Sequence, residues 1–334
     1  MKRVADADLR LLRIFATVVE SKGFAVAQAE LNLSASSISG YISALEQRLG
    51  VRLCTRGRAG FSLTDKGAVI YREAQRLFAA MDDFVASAGA TRGRLTGTLK
   101  VGLVDCTVTD SNAPIMRAIQ RFNQRDHDVR IELSVGAPAS LQRGVLEGRL
   151  HLAIACFPTE ISALPAEPLY EEANSFYCGS GHPLFAKRNV TLDDIRTARV
   201  VARSYWRGAD LSRLGVEREA AAVDIMEAQA TLILSGAYLG YLPEHYAAPW
   251  VAQGRLKPLM SDELRYVAPF SMVARRGTAE LQVVSQFIED LRASAPAAIG
   301  AKSGAGISRV AVGRSRRMKP RPGDRSASGQ AASG

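Results

Sequence analysis

The chain has 334 residues, 47% of them hydrophobic, with a formal net charge of +10 at pH 7. That length holds two or three domains with full cores, and the excess of Lys and Arg favours an anionic partner. No apolar run approaches the roughly 18 residues of a membrane span, and the start "MKRVADADLRLLRIF" carries acids where a secretory leader would be apolar. Cys54, Cys106, Cys156 and Cys178 form no C-x-x-C pair. This argues against a disulfide framework or zinc site and fits a reducing cytoplasm. The four histidines are dispersed and read as packed or surface residues, so no metal and no cofactor is expected.

In chain order, residues 1–63 read as three helices and a basic hairpin, a winged helix-turn-helix. Leu9, Leu12, Phe15, Val18 and Val19 make an apolar face on the first helix. Ala27 and Leu31 lie on a short second helix. Ser34 is a good N-cap for the third helix, and Gly50 ends it. In "SASSISGYISALEQRLG", Ile38, Ile42, Leu45 and Leu49 form one stripe, while Ser36, Ser37, Ser39, Gly40, Tyr41 and Ser43 face the other way. Hydroxyls and glycine instead of Lys and Glu suit close approach to a grooved surface, and DNA is the candidate. Residues 64–92 read as one long helix whose seam Ile70, Ala74, Leu77, Met81, Phe84 and Ala88 alternates spacings of four and three, as in helices that pair. Packing on its own domain is the plainer reading of the same seam.

Residues 93–297 alternate strands ("GTLKVGLV", "VRIELSV", "LHLAIACF", "RVVAR", "FSMVAR") with helices ("APIMRAIQRFNQR", "PASLQRGVLEGR", "DIMEAQATLILSGA", "ELQVVSQFIEDLRAS"). This alternation predicts an α/β region with parallel sheets. Residues 298–334 carry eight Lys or Arg against one acid, lack periodicity, and are expected to be a disordered basic tail. Such a tail either adds non-specific DNA affinity or is an idle extension.

Residues 9–67 carry a family resemblance. The stretches "LRIFATVVESKGFAVAQAEL", "LNLSASSISGYISALEQRLGVRL" and "TRGRAGFSLTDKG" resemble the LysR-type transcriptional regulators, with matching positions that include Phe15, Ala27, Ser34, Ser39, Leu45, Glu46, Arg56 and Gly67. Later "LVDCTVTDSNAPIMRAIQRFNQ" and "GAYLGYLPEHYA" are similar, less specifically, to the family's effector domain. The resemblance implies a homodimer or homotetramer. Each subunit would have a winged helix-turn-helix, a pairing linker helix, and an effector domain of two Rossmann-like subdomains (about 95–163 with 269–297, and about 164–268). A small molecule between the subdomains would alter transcription, with RNA polymerase a further partner. The chain departs from the family at Ala35, where Gln is usual, at Gly40-Tyr41, where Arg-Gln is common, and at Cys54, where Phe is usual. The first two departures remove the side chains best suited to bidentate base contacts.

On this reading Ser34 or Ser36 with free backbone N–H groups holds a phosphate, and Ser37, Ser39 and Tyr41 reach base edges or phosphate. Ala35 touches a thymine methyl, Gly40 permits close approach, Arg56 and Arg58 follow the DNA backbone or a narrow minor groove, and Arg48 reaches a phosphate. In the effector domain, the turn Asp105-Cys106-Thr107 would line the cleft. Gly136, Ala137 and Pro138 form the next wall, and Arg203, Ser204 and Tyr205 face them from the other half. Thr107 suits an anion; Asp105 favours an amine or caps a helix. Arg203 is the leading anion ligand, and Asp105 with Arg203 would suit an amino-acid-like zwitterion or an organic acid.

Three other classes compete. An enzyme lacks support: no Walker-type loop, G-x-G-x-x-G, H-E-x-x-H or G-x-S-x-G occurs. A solute-binding protein would need a leader and no leading winged helix. A DNA-architectural protein with weak sequence preference and no ligand control remains the runner-up, because the third helix is poor in base-reading side chains.

Overall fold

A computed structural model describes residues 5–57, 60–91 and 95–296. Arg58 and the tail 298–334 lie outside the described residues. The first helices are α1 (Asp6–Glu20), α2 (Phe24–Leu31) and α3 (Ala35–Leu49). Phe15, Val18, Ala27, Ile38 and Ile42 are fully buried between them. Their spacing on α1 and α3 puts one apolar stripe of each helix inward, and each fully buried Ile or Phe is worth about 1.5–3 kcal/mol. Ser34 Oγ accepts from Ser37 N at 3.1 Å, the N-cap expected, and Gly50 ends α3 at φ +68°. The wing is the hairpin β1 (Cys54–Gly57) and β2 (Gly60–Leu63), which pair antiparallel. Glu46 Oε1 accepts from Leu53 N at 2.7 Å and ties α3 to the start of the wing, while Phe61 packs edge-on against Phe24 at 5.9 Å.

Helix α4 (Asp65–Ala90) begins at an N-cap Thr64, whose Oγ1 accepts from Gly67 N at 2.9 Å and donates to the Arg52 carbonyl at 2.7 Å. The seam read from the sequence divides in two. Ile70, Ala74 and Leu77 pack into the winged domain's own core, whereas Phe84 and the neighbouring Val85 stand exposed.

The α/β part follows as β3 (Leu95–Leu103), α5 (Ile115–Phe122), β4 (His127–Val135), α6 (Pro138–Leu146), β5 (Leu152–Ala155) and β6 (Ala166–Gly179). Next come α7 (Leu192–Arg196), β7 (Val201–Arg203), α8 (Arg207–Leu214), β8 (Ala221–Val223), α9 (Met226–Leu234) and β9 (Leu239–Pro243). The last elements are α10 (Glu244–Ala252), β10 (Leu256–Leu259), α11 (Ser261–Leu264), β11 (Tyr266–Ala274), α12 (Arg276–Ala279) and α13 (Gln282–Ser294). The expectation of parallel sheets needs correcting. Among the described residues the main sheet is mixed, in the order β10-β6-β11-β5-β3-β4 with β9 also on β6. Parallel pairing joins β3 to β4 and to β5, and β7 to β8; β6 runs antiparallel to β9, β10 and β11.

Two cores result. Leu99, Val101, Phe122, Leu152 and Phe287 belong to the first, and Phe176, Ile195, Leu214, Leu239 and Tyr241 to the second. Strand β6 gives Leu169 and Tyr170 to the first core and Phe176 and Cys178 to the second. Strand β11 gives Tyr266 and Ala268 to the second and Phe270 and Met272 to the first. These two strands therefore carry the chain out of one half and back.

The start of α4 leaves no room for a side chain at residue 67: a Cβ there would lie 1.8 Å from the Leu53 carbonyl oxygen. Gly67→Ala is expected to push α4 off the wing and cost about 1–3 kcal/mol. Thermal unfolding checks this, and an unchanged midpoint would refute the close approach.

Candidate functional site

Two surfaces carry the residues singled out in the sequence. The first is the exposed face of α3. Ser34, Ala35, Ser36, Ser37 and Gly40 are exposed there, and Ser39 and Tyr41 are half-buried. The hydroxyls of Ser36 and Ser37 each lie 2.9 Å from Ser34 Oγ, so the cap is a connected cluster at the positive end of the helix. A methyl at Gly40 would meet nothing within 4 Å. Packing therefore does not require glycine at a position where it costs the helix about 1 kcal/mol. The Arg10 guanidinium lies 5.4 Å from the Tyr41 ring centre, placing a cation beside this face.

Arg48 is placed differently from the expectation. It forms an ion pair with Asp8, donating from Nη2 to Oδ2 at 2.7 Å, and Asp8 is only 1% exposed. Hydrogen bonding from Arg48 and from the Ala5 N–H holds the Asp8 carboxyl below its ordinary pKa. Arg48 thus ties α3 to the start of α1. Arg56 stands in β1 opposite Phe61.

The second surface is a slot between the two halves of the α/β domain, with an empty volume of about 400 Å³ that includes open solvent. Of the residues expected at a cleft, Asp105, Pro138, Arg203 and Tyr205 line it. Cys106, Thr107, Gly136, Ala137 and Ser204 flank those residues in the chain but are not among its lining. Thr107 Oγ1 donates to the Val104 carbonyl at 2.8 Å, Ser204 Oγ donates to the Val223 carbonyl at 3.0 Å, and Gly136 N donates to the Leu103 carbonyl at 3.0 Å. Their polar groups shape the turns. The sequence reading missed the rest of the walls, Glu172, Trp206, Met226 and Phe270 among them. Glu172 and Phe270 sit on the two crossing strands, and only the aromatic Trp206 beside Tyr205 offered a local signal.

The slot has a definite electrostatic character. Asp105, in the turn after β3, accepts through Oδ2 from the backbone N–H of Met226, the first residue of α9. The carboxylate of one half thereby caps a helix of the other, where an anion is favoured. Burial raises the Asp105 pKa, while the Met226 N–H opposes that shift. Arg203 is buried and donates to Asp210 at 2.6 and 3.0 Å and to the Tyr266 hydroxyl. Burial opposes its charge, yet the Asp210 carboxylate holds the guanidinium protonated. The expected anion ligand is thus already engaged by a carboxylate. What remains is acidic: Asp105 and Glu172, with aromatic walls and a Trp206 Nε1–H that is buried without a hydrogen-bond partner. Burial pushes the Cys156 thiol up to about 12 and the Cys106 thiol higher still, away from nucleophilic character.

A winged helix-turn-helix joined by one long helix to a two-lobed α/β domain with a slot between its lobes defines a class, the two-part bacterial regulators. Residues 9–68 match the family described as "Bacterial regulatory helix-turn-helix protein, lysR family", and residues 92–296 match "LysR substrate binding domain". The chain belongs to the LysR family of transcriptional regulators. It is similar to the HTH-type transcriptional activator BauR of Pseudomonas aeruginosa, 39% identical over 295 residues that cover 87% of this chain and 97% of that protein. Its fold is similar to that of CbnR, a LysR family transcriptional regulator, with TM-score 0.62, 20% identity and coverage of 86% of this chain and 99% of that one. Full-length CbnR complexed with target DNA gives TM-score 0.60 at 21% identity, with the same coverage.

The engagement of Arg203 has a measurable consequence. Arg203→Ala leaves Asp210 buried and unpaired, and the expected loss is about 3–5 kcal/mol. Replacing the pair together, Arg203→Met with Asp210→Leu, is expected to recover most of it. Urea unfolding followed by circular dichroism tests this, and a single variant as stable as the parent would contradict the pairing.

Proposed function

We propose that this protein binds specific DNA sites as a homodimer or higher oligomer, through α3 of two copies, and that a small amino-acid-like zwitterion in the slot controls it. The observation that carries the DNA-binding half is the open, hydroxyl-lined face of α3. Its glycine serves no internal packing, and its capped N-terminus is suited to a phosphate. Winged helices insert this helix in the major groove, and two copies read half-sites about 34 Å apart. The relative's designation as a transcriptional activator and the neighbour's complex with target DNA agree with this reading. Pairing falls to the exposed end of α4, where Phe84 and Val85 leave an apolar stripe uncovered by their own domain. With few bidentate base-reading side chains on α3, discrimination rests on half-site spacing and DNA shape.

The effector reading rests on the slot's unequal charge. With Arg203 neutralised by Asp210, the slot is walled by the Asp105 and Glu172 carboxylates, whose charge suits an ammonium group. The Trp206 N–H and the N-terminus of α9 are donors for a carboxylate. A ligand carboxylate at α9 would displace Asp105 and free it to meet the ammonium group. Ligand binding would thereby exchange the clasp that now joins the two lobes. An architectural protein without ligand control has no use for such a slot.

The test is calorimetry of the full-length protein against a panel of amino acids and simple organic acids, with footprinting of the bound DNA in parallel. The expected result is heat from at least one zwitterionic amine, an altered footprint with that compound, and binding at least about tenfold weaker in Asp105→Asn, equivalent to the roughly 1.4 kcal/mol of one charge-assisted contact. Heat from organic acids alone, or from nothing in the panel, would overturn the zwitterion reading.

A further inference from the structure

Beside the slot lies a cluster that shares Glu172 with its wall and whose other members, Asp110 and His245, have no part in the DNA or effector reading. Asp110 follows the turn after β3, Glu172 is in the middle of β6, and His245 is the second residue of α10. One ligand atom from each lies within 4.8 Å of the others. His245 Nε2 is 3.1 Å from Glu172 Oε1 and 3.8 Å from Asp110 Oδ2. Donor atoms around a tetrahedral zinc ion, with bonds of about 2.0–2.2 Å, stand roughly 3.3–3.5 Å apart, so these separations bracket that geometry.

The hydrogen bonding makes the cluster more than a chance meeting of acids. Asp110 is 2% exposed and its Oδ2 has no hydrogen-bond partner, while Oδ1 accepts from Asn112 N at 2.8 Å. Glu172 gives its other oxygen, Oε2, to Asn174 Nδ2 at 3.1 Å. Each carboxylate therefore holds one oxygen in protein contacts and turns the other toward the imidazole. On the far side of the ring, His245 Nδ1 lies 2.7 Å from Thr109 Oγ1. That hydroxyl donates to the Cys106 carbonyl at 2.9 Å, so it accepts from Nδ1–H. Nε2 is then the ring nitrogen that faces the two carboxylate oxygens. Two carboxylate oxygens converging on one ring nitrogen, with Asp110 Oδ2 buried and unpartnered, make a place suited to a cation. A histidine whose other nitrogen donates to a fixed oxygen is the usual arrangement of a metal ligand.

We propose that Asp110, Glu172 and His245 bind a divalent transition-metal ion of the zinc class. The imidazole selects against magnesium and calcium, and the absence of thiolate from the triad selects against copper(I). The site spans both lobes: Asp110 belongs to the first, His245 begins a helix of the second, and Glu172 sits on a strand that crosses between them while also walling the slot. A bound ion would pin the lobes beside the effector. The site shares Glu172 with the slot, but metal binding is read without DNA or effector, so its failure and the failure of the zwitterion reading are distinguishable.

The experiment uses the full-length chain, stripped with chelator and titrated with Zn²⁺ in a calorimeter, and separately with Co²⁺ followed by visible absorption. The expected result is one equivalent of Zn²⁺ with affinity in the micromolar range or tighter. His245→Ala and Asp110→Asn should weaken it about tenfold or more, with circular dichroism of both variants like that of the parent. The Co²⁺ spectrum should show d–d bands without sulfur charge transfer, and this readout does not depend on the variants folding. Absence of a bound equivalent would overturn the proposal. Equal binding by parent and variants, or thiolate charge transfer from Cys106 or Cys156, would overturn it as well.

Discussion

The antiparallel pairing of β6 with β11 carries both lobes of the effector domain and sets the slot between them. The two strands pair from Tyr266 opposite Asn174 to Val273 opposite Ala166, with a shift of register between Phe270 and Ser271. Each strand enters one core and leaves through the other, so a change in the separation of the lobes has to bend this ribbon. Glu172, Ala268 and Phe270 lie on the ribbon where it passes the slot. A ligand touching them contacts the same backbone that joins the lobes, and two-lobed proteins commonly turn binding into a change of shape through such short connections.

Around that ribbon the charges are paired, some across the gap and one within a lobe. Asp105 reaches from the turn after β3 to the N-terminus of α9, Arg203 is neutralised by Asp210 within the second lobe, and His245 meets Asp110 and Glu172. Buried charges without partners are costly, which is why each acid here has a cation or an N–H within reach. The arrangement leaves the slot short of positive charge. It therefore explains why an amine, rather than a simple anion, is the ligand favoured in the proposal.

The DNA-binding part was legible in the sequence because local rules determine it. The stripe Ile38, Ile42, Leu45, the capping Ser34 and the terminal Gly50 each act within one helix, and the structure places them as read. The α/β part was legible as alternation but not as topology. Strand β6 is the longest strand described, yet it escaped because Pro168, Glu171 and Glu172 interrupt its apolar pattern and because its apolar residues serve two different cores. The missed strand explains why parallel sheets were expected where the main sheet is mixed. The slot was half legible. Asp105, Pro138, Arg203 and Tyr205 follow strand ends, where α/β folds place ligands. Glu172 and Phe270 lie inside strands and come to the slot only through pairing. Arg203 looked like a free cation because its partner Asp210 lies seven residues on, in the first turn of α8, and no pattern marks the contact. The triad of Asp110, Glu172 and His245 has no spacing to read, since its members come from three distant elements.

The central claim is that α3, although poor in long base-reading side chains, still selects particular DNA sites through paired copies. The direct measurement is to incubate the purified protein with sheared genomic DNA from its own source, at physiological salt with competitor DNA, and to sequence what is retained. The account predicts a few sharp peaks that share an imperfect dyad with half-sites about one helical turn apart. Broad retention without peaks would contradict it and would make this chain a DNA-coating protein built on a regulator's fold.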